Sequence, residues 1–283
     1  MNIKLPLLLG ALVTAALPAA ADDFGIWSEA TLQKSLGKKF SIDGGIEFRA
    51  EDKVSQPVRW AASIGAGYKP CKYISFGIGY VFIHDYNFTE TETDYKKKPD
   101  AQGNPIFNGY NVDHAFWRNK HRATFDITGK AEAGRFTFSV RERYQYTHYN
   151  KAYTLRDKYR DPLPGNMNPD NWTGDLYPFN GQHFTDFSCD KNDKKAKDKH
   201  YLRSRFQVEY NINHCPLSPY VSYEFSNNLA DGMDLEKTRL QVGTEWKITR
   251  KHRLDVAYIF ENGSDGEHND NLHVISVGYK FKF

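Results

Sequence analysis

Large apolar and small or cationic side chains alternate along the last residues of the chain, which end on a phenylalanine. From Ile275 to Phe283 every second residue is large and apolar, and the residues between them are small or cationic. Successive side chains of a β-strand point to opposite faces, so the pattern predicts a strand with one apolar and one wet face. Such a strand is typical of the closing strand of an outer-membrane barrel. An amphipathic strand of a soluble sandwich is the alternative.

Ten further runs show the same two-residue period. The eleven predicted strands cover residues 26–36, 40–48, 58–68, 74–82, 123–127, 136–146, 202–212, 219–225, 240–248, 254–260 and 273–283. Tight turns alternate with longer connections, as expected of short periplasmic turns and longer extracellular loops. The sequence therefore predicts an all-β fold, a transmembrane antiparallel β-barrel of 10 to 12 strands with two long extracellular loops.

The strand number is the unresolved part of this prediction. Bacterial single-chain barrels normally have an even number of strands, which eleven runs do not satisfy. Either a twelfth strand lies within a long loop, or residues 26–36 lie apart from a ten-stranded wall.

The two long loops, residues 87–119 and 151–200, are too long for structureless connections in a compact domain. They contain Trp117, Trp172, Phe179 and Phe184, whereas solvated linkers usually lack such aromatic residues. We therefore expect these segments to be partly packed.

The N-terminus has the features of a secretory signal peptide. Lys4 precedes an apolar stretch over residues 5–17, and Ala19 and Ala21 occupy the small-residue positions of a cleavage site. The prediction is a signal peptide over 1–21, cleaved after Ala21, and one barrel domain over 22–283. The apolar stretch is too short for a spanning helix, which needs about 20 residues.

Composition agrees with a barrel. A mean hydropathy of −0.69 and 26% charged residues would suit a soluble protein, but only every second strand residue of a barrel meets lipid. The aromatic content of 15% fits the aromatic girdles of membrane barrels. The net charge of +3 is too balanced to predict a nucleic-acid partner. Cys71, Cys189 and Cys215 imply no disulfide framework.

Charged residues collect on the face opposite to the apolar one. The predicted lumen-lining residues are Asp43, Glu47, Arg49, Arg59, Arg122, Asp126, Arg141, Arg143, Arg203, Arg205, Glu209, Glu224, Arg239, Glu245, Arg253 and Asp255. An arginine on the lipid face near the midplane costs about 2 to 4 kcal/mol, which opposes any register slip. The set predicts a narrow channel for small polar or anionic solutes. Because buried charges also persist when paired, a closed barrel serving as a structural or accessory subunit of an envelope assembly is the alternative.

Two groups of residues carry side chains that could support other chemistry. Ser204 and His148 share the outward parity on adjacent strands, which would suit a lipid-facing hydrolase. Glu142 lies about 20 Å from His148 at strand rise and cannot orient it, so we expect no enzyme. His183, Asp186, Asp190 and Asp193 have no recognisable ligand spacing, and we expect neither a metal nor a cofactor.

The chain resembles a domain-of-unknown-function family of small Gram-negative outer-membrane barrels. The resemblance rests on Trp27 to Ala30 with residues 40–49, Arg59-Trp60, residues 77–80, 121–125, 141–146, 202–206 and 215–220, and the aromatic C-terminal end. It implies a β-barrel in the outer membrane and transfers no catalytic or ligand residues. The expected partners are outer-membrane lipid, the barrel-assembly machinery through the C-terminal strand, and an envelope protein.

Overall fold

The computed structural model describes residues 23–263 and 271–283, which are mostly β-structure. The predicted signal peptide, residues 1–21, lies outside the described residues. The chain divides into two compact units. Of the described residues, 23–85, 119–149, 197–263 and 271–283 form the barrel unit, and residues 86–118 and 150–196 form the second unit.

Within the described residues, eleven strands close the wall of the barrel unit. They are β1 (Asp23–Leu36), β2 (Phe40–Glu51), β3 (Gln56–Tyr68), β4 (Ile74–Asn87), β7 (Phe116–Ala133), β8 (Phe136–Tyr149), β12 (Lys197–Tyr210), β13 (Leu217–Asn228), β14 (Asp234–Lys247), β15 (His252–Asn262) and β16 (Asn271–Lys282). They follow this order around the wall, and β16 returns to β1. The predicted all-β barrel fold is confirmed.

The wall closes through a parallel pair. β1 and β16 run in the same direction, from Asp23 opposite Leu272 to Gln33 opposite Lys282. Consecutive strands alternate in direction, so an odd number brings the first and last strands together in parallel. The register keeps outward residues beside outward residues, as at Ala30 and Tyr279. The expectation of an even number was therefore wrong, because all eleven predicted runs belong to the wall and one seam is parallel.

The outer face of the barrel is apolar and bordered by aromatic rings. Ile46 and Ile64 are exposed to 66% and 65%, far more than a water-soluble wall would present over many strands. At the end that carries the turns 37–39 and 134–135, here called the turn end, Phe40 stacks on Tyr68 with ring centroids 4.7 Å apart.

The apolar face has a second border at the opposite end of the barrel, here called the far end. This border carries tyrosine-histidine pairs. The hydroxyl of Tyr80 lies 2.6 Å from His121 Nδ1, and that of Tyr144 lies 2.8 Å from His200 Nδ1. Rings with a polar tip suit the boundary between lipid and water. The outer face thus has an apolar band with an amphipathic border on each side.

The second unit is a separate antiparallel sheet. Its described strands are β5 (Glu90–Tyr95), β6 (Phe107–Asp113), β9 (Ala152–Pro162), β10 (Tyr177–Phe179) and β11 (Gln182–Lys194), in the order β10-β11-β9-β6-β5, with a short 3₁₀ helix over Pro169–Asn171. The two segments predicted to be long loops, residues 87–119 and 151–200, therefore pair with each other through β6 and β9. The expected packing is present, but the strands were not predicted.

Aromatic packing and one buried carboxylate hold this sheet together. Phe184 is fully buried, and Tyr159 stacks on Phe179 with ring centroids 4.5 Å apart. The Asp113 carboxylate accepts two hydrogen bonds from Arg156, at 2.6 and 2.5 Å, and one from Lys194 at 2.6 Å. This charge cluster joins β6, β9 and β11, whose residues come from both segments.

The charged lumen of the barrel

Two-residue alternation brings the charged side chains together inside the wall. A cavity of about 1180 Å³ lies inside the barrel unit, and its lining extends from Lys39 and Lys69 at the turn end to Glu51 and Glu261 toward the far end. The structure places all sixteen residues that the sequence analysis assigned to the lumen among those lining this cavity.

Small inward residues leave the room that the charged side chains occupy. A Cβ atom added at Gly65 would lie 2.8 Å from Asp43 Oδ2, and one at Gly77 would lie 3.3 Å from Asp126 Oδ2. A larger residue at either position would compete with a carboxylate for the same space. The glycines of β3 and β4 therefore shape the polar lining.

Ion pairs near the turn end are open to the cavity. Arg253 Nη1 lies 2.8 Å from Glu245 Oε1, and Lys247 Nζ lies 4.0 Å from Glu209 Oε1. The side chain of Lys247 keeps 39% of its surface exposed. Partly exposed pairs of this kind contribute little to stability.

Ion pairs toward the far end are buried. Arg59 donates two hydrogen bonds of 2.6 Å to the Asp85 carboxylate, and Lys120 Nζ donates a third at 2.7 Å. The side chains of Asp85 and Lys120 are each only 1% exposed. Val58 and Ile83 are buried on the same strands. We call Arg59, Asp85 and Lys120 the far-end layer.

Asp85 and Lys120 were missing from the predicted lumen set because the predicted strands were too short. The fourth predicted run ended at residue 82 and the fifth began at residue 123, whereas β4 continues to Asn87 and β7 begins at Phe116. Continuing the alternation in both directions would have assigned both residues to the interior.

An aromatic residue contributes to the same part of the lumen. The guanidinium of Arg49 lies 3.7 Å from the Trp27 ring centroid, and that of Arg239 lies 5.0 Å from it. Trp27 Nε1 donates to Glu51 at 3.2 Å, and its ring packs in a buried cluster with Ile259, Leu272 and Val274. Parallel closure makes this cluster possible, because Trp27 on β1 lies beside the inward residues of β16.

The residues considered for hydrolysis are not brought together. Ser204 lies opposite Glu142 in the β8–β12 ladder, and His148 lies opposite Asp198, six residues along. That separation is about 20 Å at strand rise. Ser204 Oγ instead donates to Glu142 Oε2 at 2.6 Å, and His148 Nδ1 lies 2.8 Å from Asp198 Oδ1.

The acidic residues of the second unit form ordinary polar contacts. Asp190 accepts a hydrogen bond from Lys158 Nζ at 2.8 Å. Among the residues that the structure describes, no group of three or more His, Cys, Asp or Glu side chains is arranged to hold a metal ion. Cys71, Cys189 and Cys215 are free thiols.

The closed wall, the apolar outer face and the charged lumen define a β-barrel of the outer-membrane type. Residues 24–272 match a family model described as "Protein of unknown function (DUF2490)", and the chain belongs to that family. The predicted family resemblance is thereby confirmed.

No curated protein matches the chain. Among solved structures, the crystal structure of the beta domain of the Bordetella autotransporter Brka is similar, with 8% identity, coverage of 86% of this chain and 79% of that chain, and a TM-score of 0.42. Over the residues with described structure, no helix is both long and apolar enough to cross a membrane.

Proposed function

We propose that this protein is an integral outer-membrane protein of a Gram-negative bacterium and that its lumen forms a narrow passage for small polar or anionic solutes. The outer face supports the location. From Phe136, which packs on Tyr210, to Tyr146, which packs on His200, β8 rises ten residues. At about 3.4 Å per residue and a tilt of about 40°, this is about 26 Å. The apolar band of outer-membrane barrels is about 25 Å tall.

The direction of the strands sets the proposed orientation. The turn end, where β16 ends, faces the periplasm, and the connections that form the second unit face outward. We further propose that residues 1–21 are a signal peptide cleaved after Ala21 and that the C-terminal strand is recognised by the barrel-assembly machinery. N-terminal sequencing of the mature protein would test the cleavage site.

The continuous cavity is the observation that carries the proposed passage. Ser41 and Glu51, ten residues apart on β2, both line it. Side chains just fill an eight-stranded barrel, while sixteen or more strands leave a wide aqueous channel. A barrel between these sizes suits small solutes.

The lining supports a preference for anions. Of the sixteen lumen residues assigned above, nine are arginines and seven are carboxylates, so the wall is positive overall. A low-dielectric wall concentrates this field within the passage. We therefore expect anions to pass more readily than cations of the same size.

Planar bilayer recordings test the passage. Folded protein, verified by its altered gel mobility on heating, should give discrete current steps. In a KCl gradient, the sign of the reversal potential should show that chloride passes more readily than potassium. Heat-unfolded protein is the control. If verified folded protein gives no steps across a wide range of voltage and salt, the passage is wrong.

The far-end layer favours a second candidate, a closed barrel acting as an accessory subunit of an envelope assembly. Buried, mutually paired Arg59, Asp85 and Lys120 would seal a static lumen. In that case folded wild-type protein should be silent, whereas Lys120→Ala, which removes side-chain volume from the sealing layer, should give current steps. Steps in the wild type would reject the closed barrel.

A further inference from the structure

Four arginines on neighbouring strands face each other across one ladder inside the barrel. Arg141 on β8 lies directly opposite Arg205 on β12, and Arg143 lies directly opposite Arg203. Directly opposed side chains in an antiparallel pair have Cβ atoms about 4.5–5.5 Å apart, and like charges there are destabilising. We call these four residues the arginine square. All four line the cavity.

Two carboxylates compensate only part of this charge. Arg143 donates to both oxygens of Asp126, at 2.5 and 3.0 Å. Glu224 accepts from Arg141 on Oε2 at 2.6 Å and from Arg203 on Oε1. Four guanidinium groups therefore share two carboxylates, and the formal charge of these six groups is +2.

Arg205 is the member without a carboxylate. Glu224 lies opposite it in the β12–β13 ladder, but the two oxygens of Glu224 already accept from other arginines. Among the residues that the structure describes, Arg205 has no hydrogen-bonded or ion-paired side chain. Its planar fork of five N–H donors remains available to the cavity.

Arg141 also keeps a donor for a ligand. Its Nε atom is buried and has no hydrogen-bond partner within the described chain. A buried donor left without an acceptor is destabilising. Because Arg141 and Arg205 are directly opposed, one small anion could satisfy both groups.

We propose that the arginine square binds a small oxyanion, a carboxylate or a phosphate, at Arg205 and Arg141. Guanidinium forks match the paired oxygens of these anions in a way that a halide cannot reproduce. The bound anion would neutralise part of the local positive charge and relieve the repulsion across the ladder. An oxyanion site would define the class of solute that the proposed passage carries. Its physiological role rests on that proposed function.

Calorimetric titration of inorganic phosphate into folded protein in detergent micelles tests the site without requiring conduction. Wild-type protein should bind phosphate saturably, and Arg205→Gln should weaken binding by about tenfold or more, since one charge-assisted contact is worth at least about 1.5 kcal/mol. Arg205→Gln should still fold, because no partner is left unpaired. Arg205→Lys keeps the charge but not the fork and should bind less tightly than the wild type.

The matched control is Arg135→Gln. Arg135 lies in the β7–β8 turn, is not among the cavity-lining residues, and reaches the Tyr210 hydroxyl at 3.3 Å. This variant loses the same charge and should bind phosphate like the wild type. Absence of saturable binding in the wild type, or equal affinity in Arg205→Gln, would overturn the site.

Competition and conductance separate the remaining possibilities. If acetate displaces phosphate, the site binds both carboxylates and phosphates. If acetate does not displace phosphate, the site is specific for phosphate. Both outcomes support the site. Phosphate binding by a protein that never conducts would reject the passage and keep the site. Conduction without phosphate binding would keep the passage and reject the site.

Discussion

Ser204 Oγ donates a 2.6 Å hydrogen bond to Glu142 Oε2 on the outward face of the barrel. The two residues lie opposite each other on β12 and β8, and Val140, Tyr144 and Phe206 share their outward face. A carboxylate on a lipid-facing wall is costly, and a hydrogen bond to its charged form offsets part of that cost. The pair is thus a polar contact within an apolar band.

Removing the donor should destabilise the barrel without changing any chemistry. Ser204→Ala leaves Glu142 without its hydroxyl partner and should lower the free energy of unfolding by about 1–3 kcal/mol. Urea unfolding in lipid vesicles measures this loss. Replacing both partners, Ser204→Ala with Glu142→Leu, should restore stability because no polar group remains unpaired. We expect no lipid-cleaving activity in the wild type; activity abolished by Ser204→Ala would contradict a non-enzymatic role.

The far-end layer should be a major source of stability. Asp85→Asn removes the carboxylate that holds Arg59 and Lys120 and leaves two buried cations without it. Breaking a buried ion pair in this way costs about 3–5 kcal/mol. The measurement is urea unfolding followed by gel mobility. Asp43→Asn, an inward aspartate beside Gly65, is the control and should change stability far less. Equal losses of stability in Asp85→Asn and Asp43→Asn would show that the ion pairs of the far-end layer are not a major source of stability.

The second unit should lose stability in acid. Burial alone would raise the pKa of Asp113, but hydrogen bonds from Arg156, Lys194 and Asn192 outweigh it and hold the pKa well below its usual range. A lowered folded-state pKa contributes stability that is present above about pH 4, the unfolded value, and is lost as pH falls through the folded-state value. Amide protection factors in β6, β9 and β11, which correct for the intrinsic pH dependence of exchange, should therefore fall below about pH 4.

The control for this acid sensitivity is Asp113→Asn, which should weaken the sheet at neutral pH and remove the contribution of Asp113 to the acid-dependent loss. If the protection factors in these strands depend on pH in the same way in both proteins, another group is responsible. Asp190 is a candidate, because a hydrogen bond from Lys158 lowers its pKa.

Native cysteines can report the orientation in the membrane. Cys71 lies in the β3–β4 turn at the turn end, and Cys189 lies on β11, and both are exposed. With a membrane-impermeant maleimide, Cys189 should be labelled in intact cells, and Cys71 only after the outer membrane is permeabilised. Cys71→Ser and Cys189→Ser are the matched controls. The reverse pattern would invert the proposed orientation.

Labelling of Cys189 should be slow at neutral pH. A hydrogen bond to Asp157 raises the pKa of the Cys189 thiol, which lowers the fraction of reactive thiolate. Raising the pH toward 8.5 should accelerate the reaction, while Asp157→Asn should accelerate it without a change of pH.

Several parts of the fold follow from local chemistry. The apolar parity of Phe138, Val140 and Val208 predicts a wall with lipid on one side, because a register slip would expose arginines to that lipid. The same parity leads to the lumen residues, including the members of the arginine square. Asp85 and Lys120 were missed because the predicted strands were shorter than β4 and β7. At the ends of these strands, aromatic and charged residues interrupt the alternation of apolar and polar side chains.

Alternation along a strand reports which way each side chain points, since it depends only on backbone geometry between neighbouring residues. It does not report which strands meet. The parallel seam between β1 and β16, the pairing of two distant segments into one sheet, and the sharing of Glu224 by Arg141 and Arg203 all join residues far apart in the chain. Such contacts depend on closure of the whole wall and on competition among many possible partners, so they emerge only when the chain is folded in three dimensions.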